Sequence, residues 1–458
     1  MMSKIALDYI DNKSDELKDL AMNIWENPEV AFKEVKACKW ISEYLEKEGF
    51  NVEVGKFGVP TSIRATWGEG KPVIGLLGEY DALPGMSQKV STKKESIKDG
   101  EPGHACQHNL LAVAHLGAAI ALKKEMEEKN LKGTVVFYGC PGEETLTGKG
   151  FMARGGAFTD LDVAFAWHPG TSNIVLRGVM TASNSFKFHF KGITAHAGAD
   201  PQNGRSALDA VELTDVGANY LREHVTDDVR IHYTITNGGQ APNIVPDKAS
   251  VWYYVRALSR ETVEDTYDRL IKVAKGAAMM TETNVEIEYL GGSYETLNNK
   301  ILGDLIFESM NTIPAQDWSK EDIEFAKVLE ENKTNKKGAF EAGDTKDVYL
   351  FSGKPIDGKS NSFNSTDVGD VQHIVPGAMF MTATANIGAA GHSWHNTTCG
   401  ATEIGFKGML YAAKVMADSS LKLINDPAIV DKAKEEFEKS MNGKKYICPI
   451  TEDVKFPN

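Results

Sequence analysis

The 458-residue sequence predicts an α/β protein: a mostly parallel sheet interrupted by a smaller α+β unit of ferredoxin-like order. Three observations carry this expectation. Continuous apolar runs (PVIGLLGEYDAL from Pro72, GTVVFYGC from Gly133, LDVAFAWHPG from Leu161) are separated by helical or loop segments, as strands covered on both faces are. The stretch SNSFKFHFKG instead alternates, with Phe186, Phe188 and Phe190 on one face and Lys187, His189 and Lys191 on the other. That is a strand with one wet face. The length also exceeds what one ordinary core accommodates.

At the N-terminus, MMSKIALDYIDNKSDELKDLAMNIW places Ile10, Leu17, Leu20 and Ile24 between charges. This predicts an amphipathic helix and lacks the apolar core of a signal peptide. After GHACQHN, the segment LLAVAHLGAAIALKKEMEEKN has helical spacing and predicts a helix starting near Asn109. The strand LDVAFAWHPG is expected to stop at Pro169 and Gly170. The alternating strand then leads to a helix (SALDAVELTDVGANYLREH), two strands (VRIHYTIT, ASVWYYVRAL), a second helix (TVEDTYDRLIKVAKGAAMM) and a last strand (NVEIEYL). The order β-α-β-β-α-β is the ferredoxin-like one. Glycines at Gly178 and Gly291-Gly292 bracket it as expected hinges. The expected division is residues 1–179 with 298–458 as one domain and 180–297 as the inserted one. Polar residues from Glu330 to Lys346 suggest an exposed insertion. A strand (AMFMTATANIG) and a helix (IGFKGMLYAAKVMAD) close the larger domain.

Lys+Arg 50 against Asp+Glu 64 gives a net charge of −14, which opposes non-specific binding to nucleic acid or anionic membranes. Five scattered cysteines, odd in number, fit reduced thiols, so a cytoplasmic, soluble protein is expected. GEETLTGKG departs from a phosphate loop in glycine spacing and lacks its Ser/Thr. Neither G-x-S-x-G nor H-E-x-x-H occurs.

Four groups fall near the C-terminal end of a predicted strand or the start of the next helix: Cys106/His108, Glu143/Glu144, His168 and His392/His395. In open α/β sheets, that edge is where ligands bind. Singly, each has an ordinary reading: a buried thiol, solvated carboxylates, a strand-exit histidine, loop histidines. Together they supply thiolate, imidazole and carboxylate, a donor set for Zn²⁺ or a similar divalent ion. One glutamate of the pair can bind metal while its neighbour serves as general base. Arg205 and Arg256 suit either a substrate carboxylate or a structural ion pair.

These segments resemble the aminoacylase/carboxypeptidase family of dinuclear metallopeptidases, in its amidohydrolase branch. GEYDALPG resembles the branch's D-x-D-A-L-P, GHACQHN its G-H-x-C-G-H-D, and PGEE its glutamate pair. KGITAHAG and GGQAPNIVP are similar to markers of the family's lid and dimerisation domain. FYGCPGEE, AHAGADPQNGRSALDAVEL, NSTDVGDV and GHSWH most resemble members that cleave p-aminobenzoyl-glutamate with two related subunits. The resemblance implies two divalent metal ions per subunit, Zn or Mn, with Cys106 bridging them. His108, Glu144, His168 and His392 would complete the ligands, with His395 in reserve. Glu143 would be the general base toward a water shared by the metals. Asp81 would orient a ligand. His196 would reach a partner subunit's site to stabilise the oxyanion, with Asn243 contacting substrate. It implies hydrolysis of an N-acyl amino acid or dipeptide-like amide by a homodimer, or a heterodimer with a related subunit. The alternative is a non-catalytic acyl-amino-acid-binding paralogue or partner subunit. Gln107 stands where the family has glycine, implying that this backbone avoids positive φ or is held there at a cost. His104 and His115 are expected to be an ordinary loop and helix residue.

Overall fold

Twelve strands form two sheets in the computed structural model, which describes residues 4–332 and 348–457. In chain order, the first six strands are β1 (Asn51–Val54), β2 (Ile63–Glu69), β3 (Val73–Glu79), β4 (Gly133–Cys140), β5 (Val163–Gly170) and β6 (Ile174–Leu176). The next four are β7 (Ala182–Lys191), β8 (Arg230–Asn237), β9 (Lys248–Ala257) and β10 (Asn284–Ser293), followed by β11 (Ile356–Gly358) and β12 (Gly377–Ala383). The larger sheet has the order β1-β2-β4-β3-β5-β12-β6-β11, and its central four strands are parallel. β1, β2 and β6 pair antiparallel with their inner neighbours. No pattern in the sequence predicts them, because short strands of mixed polarity carry no clear period.

The central strands are apolar because helices cover them. The helix His108–Lys129 is buried along most of its length and packs on the helices Glu403–Asn425 and Lys4–Asn12. The N-terminal segment is two helices, Lys4–Asn12 and Ser14–Glu26, where one was expected. Ile10, Leu17, Leu20 and Ile24 still face the core.

The smaller sheet runs β10-β7-β9-β8, entirely antiparallel, with the helices Ala207–Leu221 and Arg260–Thr281 on one face. This is the expected ferredoxin-like order. Phe186, Phe188 and Phe190 pack beneath the helices with Val251, Tyr253 and Val255. The glycines expected as hinges are close-packing positions. A Cβ at Gly178 would collide with the Ser360 carbonyl, and one at Gly292 with Asn184. The expected insertion lies mostly outside the described residues. No helix among the described residues is long and apolar enough to cross a membrane.

His104 lies in a loop and His115 in the helix His108–Lys129, as expected, and both are buried. His104 Nε2 lies 3.2 Å from the Ile24 carbonyl, and His115 Nδ1 lies 2.8 Å from that of Leu111. Burial lowers the His115 pKa to about 4. The unfolded chain, near 6.5, therefore takes up a proton that the folded imidazole refuses. Stability from this residue is present above pH 6.5 and falls on acidification toward about 4. Urea melts across that window should show a shallower loss in His115→Gln than in wild type; an unchanged slope would refute the assignment.

Candidate metal centre

Parallel pairing brings the ends of β4, β3, β5 and β12 to one edge, and the titratable residues converge there. Glu79 ends β3, and Asp81 follows two residues later. Glu143 and Glu144 form a tight turn after β4. His168 lies within β5, opposite Met381 of β12, and the strand ends at Gly170, where it was expected to stop. Cys106 and Gln107 lead into the helix that begins at His108, one residue before the expected start. His392 sits in the loop before the helix Trp394–Cys399.

Three sets of donor atoms lie within 4.8 Å of one another: Cys106/His108/His168, Cys106/Glu144/His392 and Glu79/His108/Glu143. Cys106 belongs to two of them, as a bridging thiolate would. Its Sγ is 3.2 Å from His168 Nε2, and His392 Nε2 is 3.6 Å from Glu144.

The hydrogen bonds orient these donors. His168 Nδ1 donates to the Pro169 carbonyl at 2.7 Å, and His108 Nδ1 lies 3.0 Å from Asp81 Oδ1. Each arrangement turns a ring's Nε2 lone pair toward the cluster. The other Asp81 oxygen accepts the Glu144 backbone N–H at 2.9 Å. His108 Nε2 and Glu144 Oε1 are buried and make no hydrogen bond. Two unpartnered buried acceptor atoms beside a thiol and two further imidazoles fit a pair of divalent cations.

Burial comes first in the electrostatics of every one of these groups. Burial, then Glu79 and Asp367, push the Glu143 carboxyl well above its ordinary range. Burial raises Glu144 to about 7 and lifts the Cys106 thiol. Burial opposes charge on His108, but Cys106 and Asp81 hold its imidazole well above its ordinary value. Burial and His108 lower His168 to about 4, and burial lowers His392.

The remaining sequence candidates lie elsewhere. His196 stands in a loop of the smaller domain, where its Nδ1 accepts the N–H groups of Gly198 and Ala199 at 3.1 and 3.0 Å. Asn243 stands beside it: the Asn243 carbonyl accepts the Ala197 N–H at 3.0 Å, and Ile244 bridges to His196. Arg205, at the base of this loop, pairs with Glu282 at 2.8 Å. None of these contacts is with the cluster. Arg256, on β9, is the lid-sheet candidate that does feel it, since Glu143 acts on its charge and it acts on that of His392. His395 is buried and stacks on Trp394 at 3.8 Å.

Residues 181–279 match the peptidase dimerisation domain of the M20 family. One of the two subunits of the p-aminobenzoyl-glutamate hydrolase of Escherichia coli is 38% identical over 466 aligned residues, spanning 98% of this chain and 97% of that protein. The chain belongs to the M20 peptidase family. The Xaa-Arg dipeptidase of Mus musculus is 29% identical, over 96% of this chain and 92% of its own. An M20 dinuclear metal binding peptidase from Bacillus subtilis shares the fold, with a TM-score of 0.61 at 20% identity, covering 91% of this chain and 99% of that one.

Sequence reasoning missed Glu34, Glu79, Lys149 and Asp367, all buried in this M20 chain. Lys149 hydrogen-bonds both Glu79 and Asp367. Glu34 accepts the Gly142 N–H at 2.9 Å and the Thr61 hydroxyl at 2.9 Å, holding the Pro-Gly-Glu-Glu turn. Glu79 and Asp367 lie within the GEYDALPG and NSTDVGDV segments, which could have pointed to them, whereas Glu34 and Lys149 look like ordinary surface charges in sequence.

Gln107 does take the left-handed conformation, at φ 60° and ψ 31°. Its side chain compensates by accepting from the Thr384 hydroxyl at 2.6 Å and donating to the Asn396 carbonyl at 2.9 Å. Gln107→Ala loses these bonds and keeps the strain, whereas Gln107→Gly loses them and relieves it. Denaturant melts should find the alanine variant less stable than the glycine variant by about 1 kcal/mol; the reverse order would remove this account.

Proposed function

We propose that this chain is a dinuclear-metal amidohydrolase acting on an N-acyl amino acid or dipeptide-like amide, with p-aminobenzoyl-glutamate the first substrate to test. The observation that carries the reading is the convergence of Cys106, His108, Glu144, His168 and His392 on one sheet edge, with Glu143 beside them. Those five residues would hold two ions, zinc or manganese, and Asp81 would orient His108. When bound, the ions would polarise the amide carbonyl and acidify water.

Glu143 takes a proton from the attacking water and delivers it to the leaving nitrogen. Its buried setting, which favours the protonated carboxyl, suits the second half of that transfer. His196 accepts two backbone N–H groups at Nδ1, so its proton is on Nε2, ready to donate to the tetrahedral oxyanion. Because its contacts are away from its own cluster, it acts with Asn243 in a partner's site. Arg256 binds the substrate carboxylate, and Arg205 braces the His196 loop through Glu282.

Residues 180–297 form the lid in this reading, and two lids join the subunits. Tyr220, Met279 and Met280, all exposed on the lid helices, support such a contact. The partner is a second copy or a related subunit. Five unpaired cysteines support a cytoplasmic setting.

Glu143→Gln should retain metal, measured by elemental analysis, and lose at least about a hundredfold in turnover. Wild-type-like turnover would end the assignment, and a metal-free, inactive wild type would favour the non-catalytic alternative. If His196 acts across a homodimer, co-expressing the inactive His196→Ala and Glu143→Gln chains should restore about a quarter of wild-type activity through mixed dimers. No recovery in isolated mixed dimers would remove the role in trans.

A further inference from the structure

The smaller sheet has one face under its helices and one open. On the open face, Ser183, Arg256 and Arg230 stand in one cross-strand row of β7, β9 and β8. Arg230 and Arg256 are register partners, and after burial both lower the pKa of His232, the next residue on that face of β8. The Arg256 Nε and the Ser183 hydroxyl are both buried, and neither makes a hydrogen bond. The Arg256 guanidinium rests over Tyr254 at 5.7 Å. Arg230 is held in place, donating to the carbonyls of Asp227 at 2.6 Å and Val229 at 2.9 Å and lying 4.2 Å from the Phe363 ring. Asp228 feels Arg230, but its carboxylate also accepts the Leu258 N–H.

We propose that Ser183, Arg230 and Arg256 form an anion subsite for a substrate bearing two carboxylates, with Arg230 selecting an acidic side chain on the amino acid. This rests on the amidohydrolase reading. One carboxylate would leave the row with excess positive charge, whereas two balance it. Arg256, nearer Glu143 in its electrostatic effect, takes the carboxylate closer to the scissile amide, and Arg230 with Ser183 takes the farther one.

The test compares p-aminobenzoyl-L-glutamate with p-aminobenzoyl-L-glutamine, alongside calorimetric binding of L-glutamate and L-glutamine to the full chain. Wild type should favour the glutamate amide by about tenfold or more in kcat/KM. Arg230→Gln should bring that ratio toward unity, with Arg230→Lys intermediate. A wild-type ratio near unity, or a folded Arg230→Gln that keeps the preference, overturns the proposal. If neither amide is cleaved but L-glutamate binds more tightly than L-glutamine through Arg230, the subsite stands and the hydrolase reading fails. Equal binding of the two amino acids sinks the subsite.

Discussion

The Asp81 carboxylate joins the two segments on which the candidate centre depends. One oxygen faces His108 Nδ1, and the other accepts the Glu144 N–H. A candidate ligand at a helix start and another in a strand-end turn thus share one buried group. That geometry requires β3 and β4 to be parallel neighbours, so that Asp81 and the Glu143-Glu144 turn leave the sheet together. Loss of that carboxylate would leave His108 Nδ1 with only the Asp81 backbone carbonyl at 3.1 Å and the turn with its Glu34 contact, so both would loosen together although they lie on separate segments of the chain.

Around this joint, the fold buries several charges. Glu79, Glu143 and Asp367 are all buried near one another, with Lys149 between Glu79 and Asp367. Burying like charges is unfavourable unless opposite charge and hydrogen bonds accompany them. Lys149 supplies part of that charge from beneath the cluster, and divalent ions would supply more from above. Burial, more than any neighbouring charge, raises the carboxyl pKa values at Glu143 and Glu144.

The parts of this arrangement legible in sequence were those with a period or a motif. β3, β4 and β5 were legible because both faces are covered, and β7 because one face is open. The residues that converge as candidate donors were legible because they follow such strands. β1, β2 and β6 were not, since their pairing is decided by distant segments. The burial of His104 and His115 left no pattern, because one imidazole on a helix or loop has no period. Gln107 was half legible: the substitution for glycine was visible, but its hydrogen bonds to Thr384 and Asn396 depend on residues nearly three hundred positions away.

The two sheets divide the chemistry by charge. The larger presents an acidic, thiol- and imidazole-bearing edge, and the smaller presents a row of arginines whose polar atoms are not all satisfied within the chain. A substrate with an amide at one end and carboxylates at the other would be oriented by that division alone, since only one direction places its negative groups near cations. The tight glycine contacts at Gly178 and Gly292 bear on this, because they fix the crossovers by close packing. In the proposed reading, orientation is therefore set by where the sheets are held, and the loop bearing His196 and Asn243 would be left to serve a neighbouring subunit.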